Sequence, residues 1–385
     1  MGDFYQTVKV AAVQAAPVFL DREGSTEKAC HLIREAGKNG AQIIGFPEGF
    51  IPAHPVWYHL HAATGAIADR LSVELFKNAV EIPGPDTDML CAAARDAQAY
   101  VVVGVCEKMP NTMGTMFNTQ IFIGPDGTLL GKHQKLMPTT GERLVHTGGS
   151  GDTLRAFSTT YGPITGLMCG ENSNPLAVFA MTAEGSQFHV MSWPNYFSTG
   201  AGSMRKIVAV ASQAFAQMSK AFVISACATI DEDMIRKLEV GPEKEKFLRD
   251  PDCCGGSVIV GPNTKIIAGP MGDEQGILYA DCNTELSLFG KLKHDFSGHY
   301  NRADIFQVLV NRDPQQHLYN VVTEGHEAQP ILAPRMRELG AAERAYALAA
   351  SPKLLQASAE AKAQARAAAP KRSARKGRGR TKQRR

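Results

Sequence analysis

Three short stretches put a carboxylate, an ammonium and a thiol at the ends of apolar runs: FPEGF around Glu48, GKHQKLMP around Lys135 and GLMCGEN around Cys169. Brought together, these groups are equipped to attack a carbon–nitrogen multiple bond. The thiol is the nucleophile, the carboxylate carries the proton, and the ammonium faces the charge that builds on the attacked group. The run ITGLMC reads as a buried strand ending at the thiol, and Gly170-Glu171-Asn172 with Pro175 mark a sharp turn into a helix. Such an elbow turns a nucleophile outward beside free backbone N–H groups, which suit an oxyanion hole and lower a thiol pKa. Glu48 follows AQIIGFP and precedes GFIPAHP, apolar ground that pushes a carboxylate's pKa up. Singly, each group has a plainer explanation: a structural cysteine, a solvated loop carboxylate, a surface lysine run. Only their conjunction argues for chemistry.

The elements that must position them alternate. Nine short apolar runs read as largely buried strands: 8–17, 41–47, 100–108, 118–124, 164–170, 188–193, 221–227, 257–262 and 276–282. Helical patterns lie between them. Ser25 stands as an N-cap for a helix that ends in the glycines near Gly40, and residues 86–98, 173–184 and 202–220 have helical spacing. Pro125-Asp126-Gly127 is a turn signal for a hairpin. This alternation predicts an α/β domain, but does not separate one doubly wound sheet from a two-sheet sandwich. No internal repeat is visible.

With 385 residues, 44% hydrophobic and 21% charged, the chain reads as an ordinary globular protein. No apolar stretch reaches the roughly 18–20 residues that span a bilayer. The N-terminus lacks a secretory layout, and a cytoplasmic location is expected. The eight cysteines form no C-x-x-C pair, and His59-Leu60-His61 lacks a third ligand at metal spacing, so neither a disulfide framework nor a metal is expected. The net charge of +3 hides an asymmetry. Residues 352–385 hold twelve Lys or Arg against Glu360, a net of +11, which leaves −8 on the body. This tail has little to bury and reads as disordered, with weak polyanion binding as one use and a solubilising extension as the plainer one.

The three motifs, in this order and with these neighbours, resemble the nitrilase superfamily of carbon–nitrogen hydrolases from about residue 8 to about residue 310. PEGFIPAHP resembles the segment holding the general base, and Glu48 matches that residue. Lys135-Leu136-x-Pro138-Thr139 resembles the lysine segment, with Glu142 on its second Glu, which orients the lysine and the attacking water. Cys169 matches the nucleophile of the elbow. Trp193-Pro194 matches a pocket-lining position, Trp57 and Tyr58 stand close enough to Glu48 to border the pocket, and Gly170 stands where many relatives carry Trp. The loop 144–152 also replaces one that contains Trp in many relatives. GHYNRADIF resembles a run near the subunit interface, and His299, Arg302 and Asp304 read as structural.

The resemblance implies an αββα four-layer sandwich that dimerises to αββααββα, with homodimers or larger homo-oligomers, even spirals, and no cofactor. The apolar pattern weakens after about residue 327, so a hydrolase domain over 1–327, an extension over 328–350 with a helix at 334–350, and the basic tail at 351–385 are expected. The expected reaction is hydrolysis of a small organic nitrile to the acid and ammonia. An amidase or carbamoylase of the same superfamily is the alternative, and a scaffold working through the tail is a third reading from another class.

Overall fold

The computed structural model describes residues 3–196 and 202–314. They fall in a unit spanning Met1–His317. The expected helix at 334–350 and the tail at 351–385 lie outside the described residues.

The first half runs β1 (Thr7–Gln14), α1 (Arg22–Lys38), β2 (Ile43–Gly45), α2 (Ala66–Asn78), α3 (Pro85–Ala97), β3 (Tyr100–Lys108), β4 (Met116–Ile123) and β5 (Leu129–Gln134). The second runs β6 (Ile164–Met168), α4 (Pro175–Ala183), β7 (Phe188–Trp193), α5 (Met204–Ser219), β8 (Phe222–Cys227), α6 (Glu232–Leu238), α7 (Pro242–Leu248), β9 (Val258–Val260) and β10 (Ile266–Ala268). The strand β11 (Gly276–Asn283) and the helix α8 (Glu285–His294) follow. Two sheets result, one ordered β11-β1-β2-β3-β4-β5 and the other β10-β9-β8-β7-β6. In the first, β1, β2 and β3 are parallel and β3, β4 and β5 antiparallel. The second repeats the plan: β6, β7 and β8 are parallel, and β9 and β10 return antiparallel. The halves thus share a topology that no sequence repeat announces.

Period-two alternation decides the layering. On β3, Val101, Val103 and Val105 pack with Ile33 and Ala36 of α1 and Leu90 and Ala93 of α3. Tyr100 and Val102 point the other way, into a layer shared with Phe188 and Val190 of β7 and Phe222 and Ile224 of β8. Beyond the second sheet, Leu167, Met191 and Val223 pack on α4 and α5. The order is helices, sheet, sheet, helices: the expected αββα sandwich. Burying each of these large side chains contributes about 1.5–3 kcal/mol, so strands apolar on both faces are held more firmly than any propensity alone would achieve.

All nine expected strands form with shifted ends, but the ninth, β11, is a half-exposed edge strand paired on β1 alone and not the largely buried one expected; the 125–127 turn joins β4 to β5. One cap differs. The first helix starts at Arg22 behind Asp21, whose carboxylate accepts from the N–H of Gly24. Ser25 lies inside the helix, its hydroxyl exchanging hydrogen bonds with the backbone of Val18. An ionised oxygen four residues earlier competes better for the free N–H groups of the first turn.

Candidate active site

Four strand ends converge. Glu48 sits in the turn after β2, Lys135 directly after β5, Cys169 directly after β6, and Trp193 ends β7. The Glu48 turn packs flat on β3 because residue 104 is glycine: a Cβ there would stand 2.2 Å from the carbonyl oxygen of Pro47. Its backbone is tied to the other sheet, the N–H of Glu48 donating to the carbonyl of Trp193 at 3.2 Å.

The Lys135 ammonium is buried between two carboxylates, donating to Glu48 Oε1 and to Glu142 Oε2, both at 2.7 Å. Glu142 comes from the 3-10 turn Thr140–Leu144. Asn118 of β4 bridges the same two carboxylates, its Nδ2 donating to Glu48 Oε1 at 2.6 Å and Glu142 Oε1 at 2.7 Å. Glu142 gains two more partners, the N–H of Thr139 at 2.8 Å and His146 Nδ1 at 3.2 Å. Glu48 Oε2 is buried and has no hydrogen-bond partner among the described residues.

The electrostatics follow. Burial pushes Glu48 up, Lys135 opposes, Glu142 adds to the rise, and the carboxyl ends at about 7. Glu142 is held far below the usual carboxylate range: burial opposes this, but Lys135 and His146 outweigh it. Lys135 is pulled down by burial yet ends well above its ordinary value because two carboxylates flank it. Of the two carboxylates, Glu48 is therefore the one that can gain and lose a proton near neutrality.

Cys169 is buried, opens the 3-10 turn Cys169–Ser173, and has φ +49°, a strained conformation for an L-residue. This is the elbow expected from the sequence. Its electrostatic neighbours are Glu48, Lys135 and Glu142, so the structure brings the four residues together. The thiol departs from expectation in one respect. The N–H of Gly170 does favour the thiolate, but burial, followed by the Glu48 carboxylate, pushes the pKa well up. Cys169 is thus held as the thiol, and any attack by its sulfur would need a base to take the proton.

Trp193 belongs to the same buried cluster as Cys169. Gly170 is exposed, and a Cβ there would meet only Thr139 Oγ1, at 3.8 Å. The site opens at this point. Trp57 is in the core against Phe19, with its indole N–H on Ser72 Oγ, and the Tyr58 hydroxyl shares that oxygen at 2.7 Å. A Cβ on Gly141 would stand 2.7 Å from Tyr58 Cβ, so this pair backs the turn that carries Glu142. Arg302 and Asp304 pair with each other on the surface.

Sequence reasoning missed Asn118, His54 and His146. His54 Nδ1 lies 3.7 Å from Glu48 Oε1, and burial lowers the imidazole to about 3, so it is neutral. Ligand atoms of Glu48, His54 and Glu142 lie within 4.8 Å of one another, a grouping of metal-site type. The Lys135 ammonium already stands 2.7 Å from both carboxylates, so a metal ion would have to displace it. The only available signal was position: His54 follows Glu48 within PEGFIPAHP, and His146 follows Glu142 by one helical turn.

The description "Carbon-nitrogen hydrolase" matches residues 9–287. A curated relative called "Nitrilase 2", from an unknown prokaryotic organism, is 36% identical over 312 residues, 81% of this chain and 95% of the relative. An "Aliphatic nitrilase" of Sinorhizobium fredii is 34% identical over 313 residues, 80% and 96% of the two chains. Among solved structures, Nit3 of Saccharomyces cerevisiae, titled a member of branch 10 of the nitrilase superfamily, has a TM-score of 0.58 at 19% identity. It covers 75% of this chain and 94% of its own, a likeness of fold.

Proposed function

The chain belongs to the carbon–nitrogen hydrolase family, in its nitrilase branch, and we propose that it converts an organic nitrile to the carboxylic acid and ammonia through Cys169. The observation that carries this reading is the division of labour between the carboxylates: one is saturated with hydrogen bonds, while the other keeps a bare buried oxygen and is an electrostatic neighbour of the Cys169 thiol, which must lose its proton.

Glu48 takes the thiol proton as sulfur adds to the nitrile carbon, then passes it to nitrogen, leaving a thioimidate. A water activated by Glu48 adds next, giving a tetrahedral carbon that bears hydroxyl, amine and sulfur. Lys135 and the N–H of Gly170 face its polar side. The amine takes a proton and leaves as ammonia, the hydroxyl proton returns to the protein, and a thioester remains. A second water, again activated by Glu48, releases the acid and restores the thiol. Glu142 holds Lys135 in place, and Trp193 and Gly170 shape the acyl pocket.

An amide would converge on the same thioester, so the deciding experiment assays a nitrile panel beside the matching primary amides, following ammonia and acid. Nitriles turning over well and amides weakly supports the reading. Amides cleaved much faster throughout replaces it with an amidase.

A homodimer or larger oligomer belongs to the same proposal. On α8, Leu286, Phe289 and Leu292 are exposed, and Ile305, Phe306 and Leu309 follow close behind in sequence, more apolar surface than a lone subunit needs. Phe289→Glu should shift the light-scattering mass downward. An unchanged mass would remove α8 from the interface. Among the described residues no helix is long and apolar enough to cross a membrane.

A further inference from the structure

The nucleophile and its counter-cation come from different sheets, Cys169 from the end of β6 and Lys135 from the end of β5. Something has to fix one against the other. Side-chain bonds from Lys135 run to Glu48 and Glu142, both on its own half of the molecule, and leave that question open.

Glu171 answers it. Its Oε1 accepts from the N–H of Leu136, the residue after Lys135, at 2.7 Å. Its Oε2 accepts from the N–H of Met168, the residue before Cys169, at 3.0 Å, and lies 3.2 Å from His133 Nε2. The carboxylate is buried. Among the described residues, the hydrogen bonds that join the lysine segment 133–136 to the nucleophile segment 168–172 all end on it. We propose that Glu171 is a positioning residue that sets the separation of Cys169 and Lys135 by clasping the residue next to each.

Three features make this more than a helix cap. The carboxylate stays ionised in a dry place: burial opposes this, but His133 and the two N–H donors outweigh it. An ionised acceptor with three donors is among the stiffer links available to a protein. The strained Cys169 conformation persists only if its surroundings over-determine it, and Glu171 holds the turn from one side. Asn172 holds it from the other, donating to the carbonyls of Leu167 and Cys169 while its oxygen meets His189. Finally, reactions between positioned groups are steep in distance. A displacement of about 1 Å is worth about 100-fold in rate.

The test uses Glu171→Gln, which keeps the shape but must turn an NH2 toward a donor on one side. The inference rests on the nitrile reading for its substrate, so a second readout needs none: alkylation of Cys169 by iodoacetamide, counted per folded site. Expected are a kcat lower by about 100-fold, a KM within about 3-fold, and alkylation slowed by about 10-fold, in protein with a native circular dichroism spectrum. His133→Asn, which leaves both backbone bonds but removes one of the three donors, should cost less than Glu171→Gln, about 10-fold in kcat. A folded Glu171→Gln protein with wild-type kcat and alkylation rate overturns the proposal, as does a change in KM alone. Should that variant not fold, Glu171→Asp decides: its shorter reach should lower kcat at least about 10-fold. Wild-type kcat there, or failure of both variants to fold, assigns the carboxylate to folding and not to positioning. Absence of nitrile turnover by the wild type would defeat the reading of function, while the alkylation rates would still test the clasp.

Discussion

The turn after β2 and the 3-10 turn after β5 each deliver one glutamate to the same lysine, and the two glutamates end in opposite states. Glu142 receives four donors: Lys135, Asn118, His146 and the N–H of Thr139. Glu48 receives two, Lys135 and Asn118, both on Oε1. Burial is alike and the shared ammonium is at the same 2.7 Å, so neither distinguishes them. What differs is the number of hydrogen bonds that favour the charged form. A carboxylate becomes a fixed counter-charge when all its lone pairs are occupied. It is free to exchange a proton when one oxygen is left without a donor, which is the role proposed for Glu48.

The largest break in this comparison is Glu48→Gln. It removes the carrier and should lower kcat by about 10⁴-fold or more, as should Cys169→Ala, with little further loss in the double variant because the residues act as a unit. Steady-state rates of the two single variants and the double variant check this. Independent, multiplying losses would mean that the thiol does not depend on Glu48.

Glu142→Gln should cost less, about 100-fold in kcat. Its signature is in pH. The attack needs Glu48 as carboxylate, so kcat/KM of the wild type should fall as pH drops through about 7. Since the Glu142 charge raises Glu48, its removal should carry that acidic limb to lower pH. A limb that stays in place, or a flat wild-type profile from pH 5 to about 8, would sink the assignment of roles.

Asn118→Ala strips one donor from each carboxylate. Losing a hydrogen bond to a buried charged group costs about 1–3 kcal/mol, so kcat/KM should drop about 10- to 100-fold and the limb should rise, because both carboxylates lose support for their charge. A lower limb, read from the same titration, would contradict the bridge seen here.

The sequence displayed the elements that are apolar throughout and concealed those that are not. The buried strands stood out because both faces are covered. The strand that delivers Lys135, LLGKHQ, did not, because as a half-exposed edge it carries glycine, lysine and glutamine; it was foreshadowed only by its turn. Similarly, α2, α6, α7 and α8 each bury a narrow face and show no unbroken apolar signal. In the site, Glu48, Lys135, Cys169 and Glu142 were legible because their flanking residues resemble a family pattern. Asn118 looked like one more residue of an apolar strand. That it bridges two carboxylates depends on where β4 lies between the Glu48 and Glu142 turns, which is tertiary information. The same holds for the thiol pKa: the elbow suggested a lowered value, but burial and the neighbouring carboxylate depend on the assembled site.

The smallest expected effect tests the mouth of the site and not its charges. Gly170 has an ordinary backbone conformation, is exposed, and has only Thr139 Oγ1 near the position of a Cβ. A side chain there is therefore tolerated by the fold and spends its bulk beside the thiol. Gly170→Trp should leave the acidic limb in place, because neither carboxylate loses a donor. Its effect should fall on substrate choice. Branched and aryl nitriles should lose about 10- to 100-fold in kcat/KM through overpacking, the equivalent of about 1–3 kcal/mol, while small linear nitriles lose much less. Equal losses for both classes would show that bulk at this position does not shape the acyl pocket. A displaced limb would show instead that the Gly170 backbone also feeds the balance between Glu48 and Glu142, and the two carboxylates would then be less separate than their hydrogen bonds suggest.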